Sequence, residues 1–209
     1  VEDFDSKKFF KPRTEKQKEA WQSIDTNTVT FLLGSVGSGK TRIATSKALS
    51  LFEERNYSQI VLLRSAQISK KEQIGFLKGD LKEKIEPLIL PLRASFEKML
   101  SKTQYENMVR SNQIVPFCIA YLEGISFERS IVILDEVQNI DNDTLKMVMT
   151  RIEDDCKLII CGDINQIKLE NTEESCLWEV SRFHLKPYIG IVQFDEKDIV
   201  RIEDRYGRV

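Results

Sequence analysis

Residues 34–41 read Gly34-Ser35-Val36-Gly37-Ser38-Gly39-Lys40-Thr41 and satisfy the spacing G-x-x-x-x-G-K-[ST]. The chemistry open to such a stretch is phosphate binding. Glycines let the backbone curl until successive N–H groups point at phosphate oxygens, where a β-carbon would obstruct the approach. Lys40 would reach the β- and γ-phosphates of ATP as a point charge, and the Thr41 hydroxyl would coordinate Mg²⁺. Arg42 heads the helical run behind the loop, whose positive end adds to the same field. A second reactive group is Asp135-Glu136, adjacent carboxylates at the tip of the apolar run 131–134. Such a pair needs a cation or a proton to handle. Asp135 is the candidate Mg²⁺ ligand, and Glu136 the candidate general base toward an attacking water. The third is Gly162-Asp163-Ile164-Asn165-Gln166, a G-D-x-x-Q sequence behind another apolar run. Gln166 can hydrogen-bond a γ-phosphate or the attacking water, and Asp163 joins the nucleotide-binding candidates.

The elements that must position these residues are legible as short apolar runs at 29–33, 60–63, 131–134, 158–161 and 189–194, separated by longer helical stretches. The runs are apolar on consecutive residues, which suits strands buried on both faces of a parallel sheet with helical crossovers between them. This predicts an α/β fold with five strands or more. From Gly75 to about Asn112 there is no strand signal. Leu81, Ile85, Leu88, Leu92 and Phe96 recur there at helical spacing despite Pro87 and Pro91, which predicts a helical insertion kinked at the prolines. Thr14 and Gln17 form a T-x-x-Q capping box, predicting a helix through about Ser23. Residues 1–13 read as a polar N-terminal tail and 14–209 as one domain.

The formal net charge is -2, with 31 basic against 33 acidic residues, so any nucleic-acid site must be local rather than a property of the whole molecule. Cys118, Cys156, Cys161 and Cys176 form no C-x-x-C pair, and a lone His184 completes no zinc pattern with them, so reduced thiols are expected. No run of about 18 apolar residues and no charged-then-apolar leader is present, which predicts a cytoplasmic protein without a membrane span. The chain opens at Val1 rather than Met, as a processed or trimmed start would.

Together the three motifs resemble the ATPase core of superfamily 1 helicases, and the chain between them resembles the PhoH family of P-loop ATPases. Leu63-Arg64-Ser65-Ala66 is similar to the family's T-R-P-A, and Gly75-Phe76-Leu77-Lys78-Gly79-Asp80-Leu81 to G-F-L-P-G-D-L. Ala120-Tyr121-Leu122-Glu123-Gly124 resembles A-Y-M-R-G, residues 131–139 resemble V-I-L-D-E-A-Q-N, and Asp198-Ile199-Val200-Arg201 resembles D-V-V-R. Ser65, Lys78 and Ile202 depart from the pattern and leave the nucleotide motifs intact. The resemblance runs from Thr14 to about Arg201. It implies a RecA-like ATPase with a role in RNA metabolism, working as a ring of subunits such as a hexamer. It also places Gln17 where helicases carry an adenine-reading glutamine, in competition with its capping role.

One RecA-like domain lacks the second domain that supplies arginines in a superfamily 1 helicase, so a neighbouring subunit is expected to offer one in trans. Arg201 is the first candidate and Arg151 the second. Single-stranded RNA or DNA is the expected partner. Its contacts are sought in the loops 64–71 and 76–84, or in the basic and aromatic stretch 7–13, which reads equally as a solvated tail. A small-molecule kinase and an ATP-dependent assembly switch are the competing readings.

Overall fold

Consecutive residues of each central strand feed two different cores, which is why the runs are apolar without alternation. Leu32, Ile60, Leu62, Ile131, Ile133 and Ile159 point into one core, and Phe31, Val61, Leu63, Val132, Leu134 and Ile160 into the other. The computed structural model describes residues 10–54, 56–64, 81–169 and 171–199. Among the described residues, six strands form one wholly parallel sheet: β1 (Val29–Leu33), β2 (Gln59–Arg64), β3 (Ile114–Cys118), β4 (Ser130–Asp135), β5 (Lys157–Gly162) and β6 (Ile189–Gln193). Their order across the sheet is β3-β2-β4-β5-β1-β6. In a parallel sheet all carboxyl ends lie along one edge, and ligands bind there. Here that edge carries Leu33, Arg64, Asp135 and Gly162, the last residues of β1, β2, β4 and β5.

The first core is covered by α1 (Glu15–Thr26), α2 (Lys40–Glu53), α3 (Leu81–Phe96) and α4 (Lys102–Arg110). The second is covered by α5 (Asn142–Met149) and the 3-10 segment Cys176–Leu185. β3 falls just past the predicted helical stretch and is a strand the hydropathy pattern does not disclose. It holds Pro116, which lacks the N–H a central strand needs, and it accordingly lies at the sheet edge with only β2 beside it. α3 runs on through both Pro87 and Pro91.

All four cysteines are buried free thiols, and burial raises the pKa of each. Among the described residues no helix is long and apolar enough to cross a membrane. Phe10 stacks on Trp21 of α1 with centroids 5.0 Å apart, while residues 1–9 lie outside the described residues.

Candidate active site

The phosphate-loop sequence forms the tight turn expected of it between β1 and α2. Gly34 has φ +141°, and a Cβ built there would lie 2.5 Å from the carbonyl oxygen of Phe194, so glycine is required where the loop leaves the sheet. Gly39, at φ +92°, caps α2, and Lys40 is that helix's first residue. The Lys40 ammonium donates to the carbonyls of Gly34 (2.6 Å) and Ser35 (2.9 Å) within its own loop, and burial lowers its pKa. The Ser38 hydroxyl donates to the Ser35 carbonyl at 2.9 Å, tightening the turn.

Gln17 supports this loop from behind. Its Nε2 donates to the Ser38 carbonyl at 3.0 Å, and its Oε1 accepts from the Arg13 N–H at 2.7 Å. Thr14 caps α1 as expected, its Oγ1 accepting from Gln17 N at 3.2 Å. The reciprocal half of the capping box is not made to Thr14, because the Gln17 side chain reaches one residue further back and also serves the loop. Its carboxamide is engaged at both ends and buried.

At the tip of β4, Asp135 is buried and makes no ion pair with any described residue. Burial, and secondarily the neighbouring Glu136, pushes its pKa up to about 6, against the opposing pull of Arg64 and Lys40. A cation would remove that penalty. Glu136 occupies the left-handed region at φ 60°, ψ 38°, a conformation unusual for a long side chain and concentrated at functional positions. Its carboxylate is held from two sides: Gln138 Nε2 donates at 2.6 Å, and the Arg64 guanidinium stands 3.4 Å away. Gln138 also accepts the Asp163 N–H at 3.2 Å, tying the ends of β4 and β5 together. Asp163 caps the turn after β5 by accepting from Asn165 N at 3.0 Å, and Gln166 Nε2 donates to its other oxygen at 2.6 Å.

These groups converge on one cavity of about 420 Å³. Val36, Gly37, Gly39, Lys40, Thr41 and Arg42 form one wall, and Asp135, Glu136, Asp163 and Gln166 the facing one. Pro91, Ser95 and Lys98 close it from the α3 side, where Thr45 and Ser95 share a hydrogen bond of 2.7 Å between α2 and α3. Gly34, Ser35, Ser38 and Gln17 shape the loop without lining the cavity. Arg151 is not brought to it: its backbone pairs with Phe127, before β4, at the amino edge of the sheet, and its Nε is buried without a hydrogen-bond partner among the described residues. Arg201 and the loop residues 65–80 lie outside the described residues.

A hydroxyl (Thr41) and a buried, cation-deficient carboxylate (Asp135) across one cavity fit a Mg²⁺ ion that takes its remaining oxygens from phosphate and water. No group of three or more His, Cys, Asp or Glu residues suited to a metal occurs among the described residues.

The family model described as PhoH-like protein matches residues 9–206. The chain belongs to this PhoH-like family. It is 34% identical over 196 residues to the PhoH-like protein of Bacillus subtilis, covering 93% of this chain and 61% of that one. It is 32% identical over 194 residues to protein PhoH of Escherichia coli, covering 90% and 54%. The chain thus spans little more than half the length of these curated relatives. Among solved structures, the large terminase of a thermophilic bacteriophage superposes with a TM-score of 0.52 at 13% identity, over 93% of this chain and 48% of that one. The Hef helicase domain of Pyrococcus furiosus does so with a TM-score of 0.50 at 14% identity, over 88% and 38%. These likenesses show that the PhoH-like chain has the RecA-like P-loop ATPase fold.

Gln138 carries no assigned role in the motif reading, and Arg64 enters it only as the start of the loop 64–71 in which nucleic-acid contacts are sought. Both stand inside family-like segments, but their hold on the site is decided by tertiary contact with Glu136. The one available signal is position: Arg64 ends a strand at the ligand edge, and Gln138 follows closely on another.

Proposed function

We propose that the chain binds ATP with Mg²⁺ and hydrolyses it, coupling turnover to work on single-stranded RNA or DNA as part of a ring of subunits. The observation that carries this reading is the convergence of Lys40, Thr41, Asp135, Glu136 and Gln166 on one cavity at the carboxyl edge of the sheet. Lys40 exchanges its loop carbonyls for β- and γ-phosphate oxygens, and the N–H groups opening α2 bind the same anion. Thr41 and Asp135 hold Mg²⁺, which when bound neutralises charge building on the phosphates. Glu136 orients a water and takes its proton as the water oxygen bonds to the γ-phosphorus. The bond from that phosphorus to the bridging oxygen breaks, leaving ADP and inorganic phosphate. Gln166 positions the water or the γ-phosphate. Arg201 or Arg151 of a neighbouring subunit is the proposed source of the trans charge.

The hold of Arg64 and Gln138 on the Glu136 carboxylate favours a second reading, in which turnover is slow and ATP binding drives assembly. Steady-state hydrolysis, with and without single-stranded RNA and DNA, tests both. Stimulation by a polynucleotide that Lys40→Ala and Glu136→Gln each abolish supports the motor. Hydrolysis indifferent to every polynucleotide, with assembly that follows ATP, supports the switch.

A further inference from the structure

A second cavity, of about 350 Å³, lies beside the first and shares Glu136 and Pro91 with it. Its other lining residues are Arg64, Pro87, Leu88, Asn139 and Lys168. The polar groups facing it are mostly donors. The Arg64 guanidinium is anchored by a 2.7 Å bond from Nη1 to the Leu88 carbonyl of α3 and turns Nη2 toward Glu136. Lys168 is exposed at its rim, and its backbone N–H donates to Asn139 Oδ1 at 2.9 Å. That bond fixes the Asn139 carboxamide. The residue is only 7% exposed and lines the cavity, and with its oxygen engaged by the Lys168 N–H its Nδ2 is the amide group left to donate to an anion there.

We infer that this second cavity is a phosphate-binding site, with Arg64, Lys168 and the Asn139 amide as its donors. Two cations and an amide outweigh the one carboxylate in the wall, and that carboxylate is already hydrogen-bonded by Gln138. Guanidinium and ammonium groups are the side chains suited to phosphate oxygens. The source of the group is either free inorganic phosphate leaving the first cavity or a phosphodiester of a single strand. In both cases the anion competes with Glu136 for Arg64. Occupation therefore loosens the grip on the carboxylate proposed as general base, a link that rests on the role proposed for Glu136, whereas the binding itself does not.

The experiment is ³¹P NMR line broadening of inorganic phosphate, run in a Lys40→Ala background so that the first cavity is disabled. Lys168→Ala and Asn139→Asp are added singly; the first alters an exposed residue and the second keeps the side chain's shape, and thermal melts verify both folds. Loss of a charged donor is expected to weaken phosphate binding roughly tenfold or more. Broadening by inorganic phosphate that both variants reduce supports the site with a free-phosphate source. Broadening seen only with a short oligothymidylate, and reduced by the same variants, supports it with a phosphodiester source. No broadening by either probe, or broadening insensitive to both variants, overturns it. Because no ATP is turned over, failure of the hydrolysis assay would leave this result unaffected.

Discussion

Glu136 is where the demands of folding and of chemistry part. Its left-handed backbone costs about 1–3 kcal/mol relative to a relaxed residue. Glu136→Gly should therefore raise the midpoint of chemical denaturation while abolishing turnover, and Glu136→Gln should leave nucleotide affinity intact while lowering kcat by roughly 10²- to 10⁴-fold. Asp135 carries a different cost. Its proton affinity rises on folding from a pKa of 3.8 to about 6, at roughly 1.4 kcal/mol for each factor of ten, so the buried charge opposes folding by about 3 kcal/mol. The native state holds the proton more tightly, so this opposing contribution is absent at pH values below the unfolded pKa of 3.8 and grows until pH passes about 6. Asp135→Asn should raise the Tm of the nucleotide-free protein by several degrees at neutral pH and flatten its decline across that window. The same variant should lose the added stabilisation from Mg²⁺ with ATP. A thermal-shift series in pH, with and without Mg²⁺, checks every part of this. The acids, the lysine and the glutamine are legible as chemistry because their spacing follows strands and a glycine loop. The roles of Arg64 and Gln138 are not, because nothing in a sequence reports that two side chains from different strand ends grip one carboxylate.

At the scale of elements, the loop between β1 and α2 has its path set by contact with the chain just past β6. Gly34→Ala would place a methyl group 2.5 Å from the Phe194 carbonyl oxygen in a backbone conformation that L side chains avoid. The expected outcome is a destabilisation of about 2 kcal/mol or more in urea unfolding, on the order of other strained backbone substitutions, together with loss of nucleotide binding. Alanine at Gly124, where φ is +78° and a Cβ would meet nothing within 4 Å, should cost less stability, and the pair separates steric contact from backbone conformation. Central strands are readable because burial on both faces makes their runs continuously apolar. β3 is not, because Pro116 interrupts the pattern and only an edge position makes it admissible. The span of α3 is recognisable from helical spacing through both prolines, since apolar periodicity from Ile85 to Phe96 outlasts two missing N–H groups.

For the whole molecule, the trans arginine proposed above makes turnover depend on assembly. If a neighbouring subunit completes the site, ATP turnover per protomer should rise with protein concentration across the range in which mass photometry detects assembly. Turnover independent of concentration would assign the whole active site to one subunit. The four buried thiols have a further use. They sit in separate places: at the end of β3, before β5, within β5 and in the 3-10 segment beside α5. Each is shielded from solvent and disfavoured as thiolate, so a maleimide can reach it only when its own neighbourhood opens. Timed alkylation read by mass spectrometry would thus convert the four positions into four independent clocks, reporting which parts of the sheet breathe first and whether nucleotide slows them.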